Sequence, residues 1–315
     1  MPDVKPKVAE WATCQINGSK RLINAKTLDG GKHMNTLPEK IGTFEGSDGV
    51  DIFYRHYQAE PERARLVIAH GLGEHSGRYC NIIERMLPMG ISVWVADHRG
   101  HGQSGGKRGH VLNYMQYLTD LRLMIEQAGK DLTGDGKCFL MGHSMGGLIA
   151  IYFAQRFPEI VDGIVASSPA LGMIIEIPAA KKILGSIMSF LWPGLTMGNE
   201  LDAGKISHDP EVVNAYNNDS LVHDRVSARF FTEFMAAIET VNQQASSLRV
   251  PIIMQVAGDD HLVNARASKL FFENLAVPDK TLHVYEGLYH EIYNEPEEQR
   301  EKVLTDLEDW LAERV

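Results

Sequence analysis

The chain has 315 residues, 44% hydrophobic and 23% charged, enough to bury one large core or two modest ones. Its 31 basic and 41 acidic residues give a formal net charge of −10, which excludes the basic face that phosphate-backbone binding needs, so no nucleic acid partner is expected. Neither the start, MPDVKPKVAEWATCQ, nor any later stretch has the uncharged apolar run of a signal peptide or of a membrane span, so a cytoplasmic location is expected.

Residues 1–37 are polar and weakly periodic and read as a poorly ordered tail with no assigned function. Short apolar runs then alternate with helix-period segments. EKIGTFEGSDGVDIFYRHY reads as two strands joined by a turn at Ser47, Asp48 and Gly49, and ARLVIAHG as a buried strand. An amphipathic stretch over residues 79–89, the strand ISVWVAD, a helix over 114–130, the strand CFLMGH and a helix from Met145 follow. The series closes with a strand over 161–166, a helix over 230–244, the strand PIIMQVAG, a helix over 265–274, the strand TLHVYEG and a final helix. Such alternation implies an α/β fold with a mostly parallel sheet covered on both faces.

Residues 172–229 break the rhythm. They show no strand signal but carry helix-compatible pieces such as AAKKILGSIMSFLW, and an insertion of this length reads as a cap between core segments 38–171 and 230–315. The three cysteines, Cys14, Cys80 and Cys138, form no spaced pair or metal cluster, so no disulfide is expected and a reducing compartment fits.

The stretch KCFLMGHSMGGLIAIYFAQ sets Ser144 between Gly142 and Gly146, where a strand gives way to a helix. A serine hydroxyl needs a base to become a nucleophile, and a GxSxG turn holds it out for attack. The competing reading is a helix-capping serine. Strand, turn and helix in register favour the nucleophile. The acid and base should follow in chain order at strand ends. VAGDDHLVN offers Asp259 and Asp260, of which sequence position favours Asp260 with Asp259 as the alternative; YEGLYHEIYNE offers His290. His283 lies inside a strand pattern and His261 directly follows the acids, so both are weaker candidates for the base. Oxyanion donors are expected from the backbone N–H of Met145, after the serine, and of Leu72 in HGLGEHSGRY. His98 and His101 in DHRGHGQS lack a third ligand at metal spacing and read as parts of a loop fixed by Asp97, Arg99 and Gly100. No metal or organic cofactor is expected.

With HGLGEHSGRY, DHRGHGQSGGKRGH, GHSMGG, SHDPEVVNAYNND, GDDHLV and YEGLYHEIYNEPE in this order, the chain resembles the monoacylglycerol lipase and lysophospholipase family of the α/β-hydrolase fold from about residue 40 to its end. The resemblance supports Asp260 as the triad acid and Leu72 and Met145 as oxyanion donors, and implies glycerol contacts for Glu74, Arg78 and Tyr216, with a structural ion pair near the loop as the alternative. Tyr293 stands where some relatives have a histidine and is a further substrate-binding candidate. The implied activity is hydrolysis of monoacylglycerols through an acyl-enzyme. A lysophospholipase or general carboxylesterase would use the same triad, and a non-catalytic lipid-binding member of the fold would need neither Asp260 nor His290. The cap is expected to enclose the acyl chain and to touch a lipid surface, with Lys181 and Lys182 at the head groups and Phe190, Leu191 and Trp192 dipped inward.

Overall fold

A computed structural model describes residues 15, 16, 19, 20, 39–129, 136–174 and 179–315. Eight strands form one sheet: β1 Glu39–Glu45, β2 Asp51–Tyr57, β3 Ala64–Ala69, β4 Ile91–Ala96, β5 Lys137–His143, β6 Gly163–Ser167, β7 Ile252–Ala257 and β8 Lys280–Tyr285. Their order across the sheet is β8-β7-β6-β5-β3-β4-β2-β1. β2 runs antiparallel to both its neighbours, while β4, β3, β5, β6, β7 and β8 pair in parallel. The mostly parallel sheet expected from the alternation is therefore present. The hairpin between β1 and β2 turns at Gly49, whose φ of 80° suits glycine and whose N–H donates to Gly46 O at 3.0 Å.

Alternation along the buried strands divides the core in two. Leu66 and Ile68 of β3 join a layer under α1 (Cys80–Met86) and α8 (Glu297–Ala312), whereas Val67 between them joins the opposite layer. That second layer packs α2 (Met115–Gly129), α3 (Met145–Arg156) and later helices against the other face. Because the parallel strands share one direction, the loops after β3, β4, β5, β7 and β8 open on one edge.

The insertion contains α4 (Ala179–Leu191), α5 (Pro210–Asn218) and a short antiparallel pair, Thr196–Gly198 with Arg225–Ser227. The pairing was not legible because three-residue strands are too short to show an alternation. α6 (Ala228–Gln243) begins before the expected residue 230 and packs against both α4 and α3, so it joins the insertion to the core. Between β7 and β8 lies α7 (Ala265–Glu273). Of the expected tail, only Gln15–Ile16 and Ser19–Lys20 are described, as an antiparallel pair. The side chains of Lys181 and Lys182 lie outside the described residues. No helix among the described residues is long and apolar enough to cross a membrane.

One expectation fails at Cys80, which is disulfide-bonded, while Cys138 is free. Pairing depends on proximity in the fold, which cysteine spacing alone does not reveal. Cysteine usage thus no longer points to a reducing compartment.

The loop after β4 is braced as expected. Buried Asp97 accepts hydrogen bonds from the N–H groups of Ser76 (2.7 Å) and Gln103 (2.6 Å), and Arg99 spans Asp120 (2.6 Å) and Asp48 (2.7 Å). The side chains of Arg99 and Asp120 are only 5% and 6% exposed, so the pair is desolvated. Removing one partner strands a buried charge. Arg99→Met is expected to destabilise the fold by about 3–5 kcal/mol, read from the urea midpoint at constant slope. A change below about 0.5 kcal/mol, the size of a neutral surface substitution, would show the brace to be dispensable.

Candidate active site

Ser144 sits between β5 and α3 with φ 54° and ψ −116°. This is a left-handed region that costs a serine about 1–3 kcal/mol unless its surroundings hold it there. They do so through Ser144 N donating to Ser167 O (2.9 Å) and through Leu148 N and Ala170 N, which donate to Ser144 O at 3.1 and 3.0 Å. Its side chain makes no capping hydrogen bond, so helix capping does not explain the residue. The flanking glycines are steric necessities. A Cβ on Gly142 would lie 2.0 Å from Gly146 O, and one on Gly146 would lie 1.9 Å from Ala69 O.

From the loop after β8, His290 Nδ1 meets Asp260 Oδ2 at 2.7 Å, with both side chains buried. Asp260 Oδ1 accepts the N–H groups of Leu262 (2.8 Å) and Val263 (3.0 Å), which fix the carboxylate. Asp259 instead points outward, 3.4 Å from His261, and His283 pairs with Asp306 at 3.6 Å. The structure thus brings Asp260 to His290 and leaves Asp259, His261 and His283 elsewhere. Burial works to lower the pKa of His290, but the charge of Asp260 and its hydrogen bond outweigh it and raise the value. Burial likewise works to raise Asp260, yet His290 and the two N–H donors hold it below the ordinary carboxylate range.

Ser144, His290, Leu72 and Met145 line one cavity of about 370 Å³. Neither the Leu72 nor the Met145 main-chain N–H has an acceptor among the described residues, so both are free to bind an oxyanion. The loop bearing Leu72 approaches closely at Gly71, where a Cβ would meet Ser144 Cβ at 3.3 Å. Gly73, at φ 79°, seats against the insertion, its carbonyl accepting the His223 N–H at 2.9 Å. His143, beside the serine, is pushed by burial down to about 4, so it stands neutral 4.7 Å from the His290 ring.

Of the four substrate-binding candidates, Glu74 and Tyr216 line the cavity, whereas Arg78 and Tyr293 do not. Arg78 is spent on Glu74 (3.2 Å), on both oxygens of Glu291 (2.8 and 2.6 Å) and on the Tyr216 ring face at 4.8 Å. Glu74 in turn accepts the Gly71 N–H at 2.5 Å and the Tyr79 hydroxyl at 2.7 Å. Arg78 therefore ties the loop of Leu72 to the loop of His290 and acts as a positioning residue. Tyr293 is buried with its hydroxyl donated to Gln255, so its expected substrate contact is corrected. Among the lining residues that the sequence reading did not single out are Glu291, Asp219, Asp224 and His223. Only the adjacency of Glu291 to His290 was a usable signal.

Residues 60–297 match the Hydrolase_4 family, described as serine aminopeptidase, S33. The chain is 35% identical to a monoacylglycerol lipase of Mycolicibacterium smegmatis over 87% of its length and 97% of that protein. It is also 35% identical to the phospholipase YtpA of Bacillus subtilis over 77% of its length and 93% of that protein. The crystal structure of the Paleococcus ferrophilus monoacylglycerol lipase superposes with a TM-score of 0.77 at 35% identity, covering 84% of this chain and 99% of that one. The fold is the α/β-hydrolase fold.

A base must be neutral to accept the serine proton, so activity falls as pH drops through the pKa of His290. Because that pKa is raised, the acidic limb of kcat/KM on a p-nitrophenyl ester is expected above the free histidine value of about 6.5. Asp260→Asn should lower kcat by roughly 10⁴-fold through loss of the charged hydrogen-bond partner. An acidic limb at or below the free value would contradict the assigned coupling.

Proposed function

The chain belongs to the Hydrolase_4 family, and from that premise we propose that it is a serine hydrolase cleaving monoacylglycerols to glycerol and fatty acid. The observation that carries this reading is a single cavity holding Ser144 and His290 beside both an apolar and a polar wall. Met173, Leu201, Ile206, Phe234 and Val263 supply apolar lining, while Glu74, Tyr216 and Asn217 supply polar contacts. An acyl chain gains ~0.8 kcal/mol per buried methylene along the first wall, and the glycerol hydroxyls find hydrogen-bond partners on the second. Burial raises the Tyr216 pKa to about 12, which keeps its hydroxyl a donor.

Ser144 Oγ attacks the ester carbonyl and passes its proton to His290, while Asp260 stabilises the imidazolium. The N–H groups of Leu72 and Met145 bind the oxyanion. Collapse breaks the C–O bond, the His290 proton goes to the glycerol oxygen, and the acyl-enzyme remains. Water, deprotonated by His290, then releases the fatty acid and restores Ser144. None of these steps calls for a cofactor.

Delivery of a lipid substrate is part of the same reading. Along α4 and just after it, Ile183 (63%), Leu184 (58%), Phe190 (81%) and Trp192 (61%) are exposed, an apolar surface suited to the membrane interface. The Bacillus phospholipase relative supports a second reading, in which the released alcohol carries a phosphate.

Fatty-acid release from 1-monoacylglycerol and from lysophosphatidylcholine of matched chain length separates the two readings. Faster release from the monoacylglycerol, reduced at least about 10⁴-fold by Ser144→Ala, is expected. Preference for the phospholipid would transfer the function to the second reading. Phe190→Asp with Trp192→Asp should lower sedimentation with lipid vesicles while leaving a water-soluble ester hydrolysed as before; unchanged sedimentation would remove the interfacial role.

A further inference from the structure

Four carboxylates, Glu74, Asp219, Asp224 and Glu291, line the cavity around Ser144 and His290, and no lysine or arginine among the described residues lines it. Compensation for these charges is incomplete. Glu74 and Glu291 share the single guanidinium of Arg78, which leaves one negative charge over. Asp219 is held by His75 Nε2 at 2.9 Å and by the Leu221 N–H at 2.8 Å. His75 Nδ1 in turn accepts the Gly77 N–H at 3.1 Å, which fixes the ring beside the carboxylate. Burial works to raise the Asp219 pKa, but the hydrogen bond and charge of His75, with the Leu221 N–H and the more distant Arg78, outweigh it and hold the carboxyl below its ordinary range. At the exposed rim, Asp224 pairs with the exposed Arg225 at 3.3 Å. Burial keeps His143 and His223 below the ordinary histidine range, so neither adds a cation.

These groups gather on the polar wall. His223 and Tyr216 both crowd Gly73, where a Cβ would lie 2.4 Å from His223 O and 3.7 Å from the Tyr216 hydroxyl, and Asp219 closes α5 three residues beyond Tyr216. We propose that this wall selects substrates by the charge of the alcohol they release, accepting neutral and cationic alcohols and turning away phosphate-bearing ones, with Asp219 and Glu291 as specificity-determining residues. The inference rests on the ester-hydrolase reading above and narrows it. A phosphate brought beside an uncompensated carboxylate meets like-charge repulsion, whereas a glycerol hydroxyl donates to the same oxygens and a quaternary ammonium is attracted to them.

The test compares kcat/KM for three esters of one short acyl chain, all below their aggregation concentrations: a 1-monoacylglycerol, an acylcholine and a 1-acylglycerol phosphate. The phosphate ester is expected to be cleaved at least roughly tenfold more slowly than the neutral ester, with the choline ester no slower than the neutral one. The neutral-to-anionic gap should narrow severalfold in Asp219→Asn and in Glu291→Gln, and with rising salt as the Debye length falls below ~10 Å. Each gap is a ratio within one protein, so a general loss of activity cancels. Asp224→Asn, which disturbs no buried pair, should narrow it in the same direction by a smaller factor. Equal rates on the neutral and anionic esters, or a gap unchanged in all three variants, would overturn the charge selection alone. Failure of the native protein to cleave the neutral ester would instead overturn the monoacylglycerol reading.

Discussion

The close approach of three backbone segments at the serine turn governs the rest of the site. Gly146 lies against the carbonyl of Ala69 at the end of β3, and Gly142 against the carbonyl of Gly146 itself, with no room for a Cβ at either position. This packing sets the first turn of α3 directly beside the loop after β3. The N–H of Met145 and the loop that bears Leu72 are thereby brought to the same small volume. A serine forced to φ 54° is unfavourable in isolation, and the hydrogen bonds to Ser167, Leu148 and Ala170 hold it. Strain at one residue is thus sustained by the sheet, the most buried part of the molecule.

A second constraint is electrostatic. One buried guanidinium, Arg78, serves two carboxylates that belong to different parts of the site, Glu74 on the loop of Leu72 and Glu291 next to His290. The arrangement fixes the distance between those loops and leaves an excess negative charge near the imidazole. The same excess adds to the effect of Asp260 in raising the His290 pKa, because both Glu291 and Glu74 favour the imidazolium. Proton transfer and discrimination at the polar wall are linked in this way through shared residues.

Much of this was legible in the sequence where the signal is local. GHSMGG between a strand and a helix pattern marked Ser144, and chain order placed an acid and a base after it at strand ends. The sheet was legible because buried strands and amphipathic helices alternate with distinct periods. What stayed hidden depends on contacts between distant residues. An ion pair was the alternative for Arg78, but its partner Glu291 lies 213 positions away and could not be named, and the bond from Tyr293 to Gln255 spans 38. The choice between Asp259 and Asp260 rests on which way two adjacent side chains point, which no periodicity encodes. The disulfide at Cys80 was missed for the same reason.

The role of Ser144 as a nucleophile activated by His290 is tested most directly by covalent trapping. Native protein and the His290→Ala variant would be incubated with a fluorophosphonate, and the adduct located by intact mass and peptide mapping. The expected result is one adduct, on Ser144, forming far more slowly in the variant, because an unactivated serine hydroxyl is a poor nucleophile. An unmodified native protein, an adduct on another residue, or equal rates in the two proteins would contradict it.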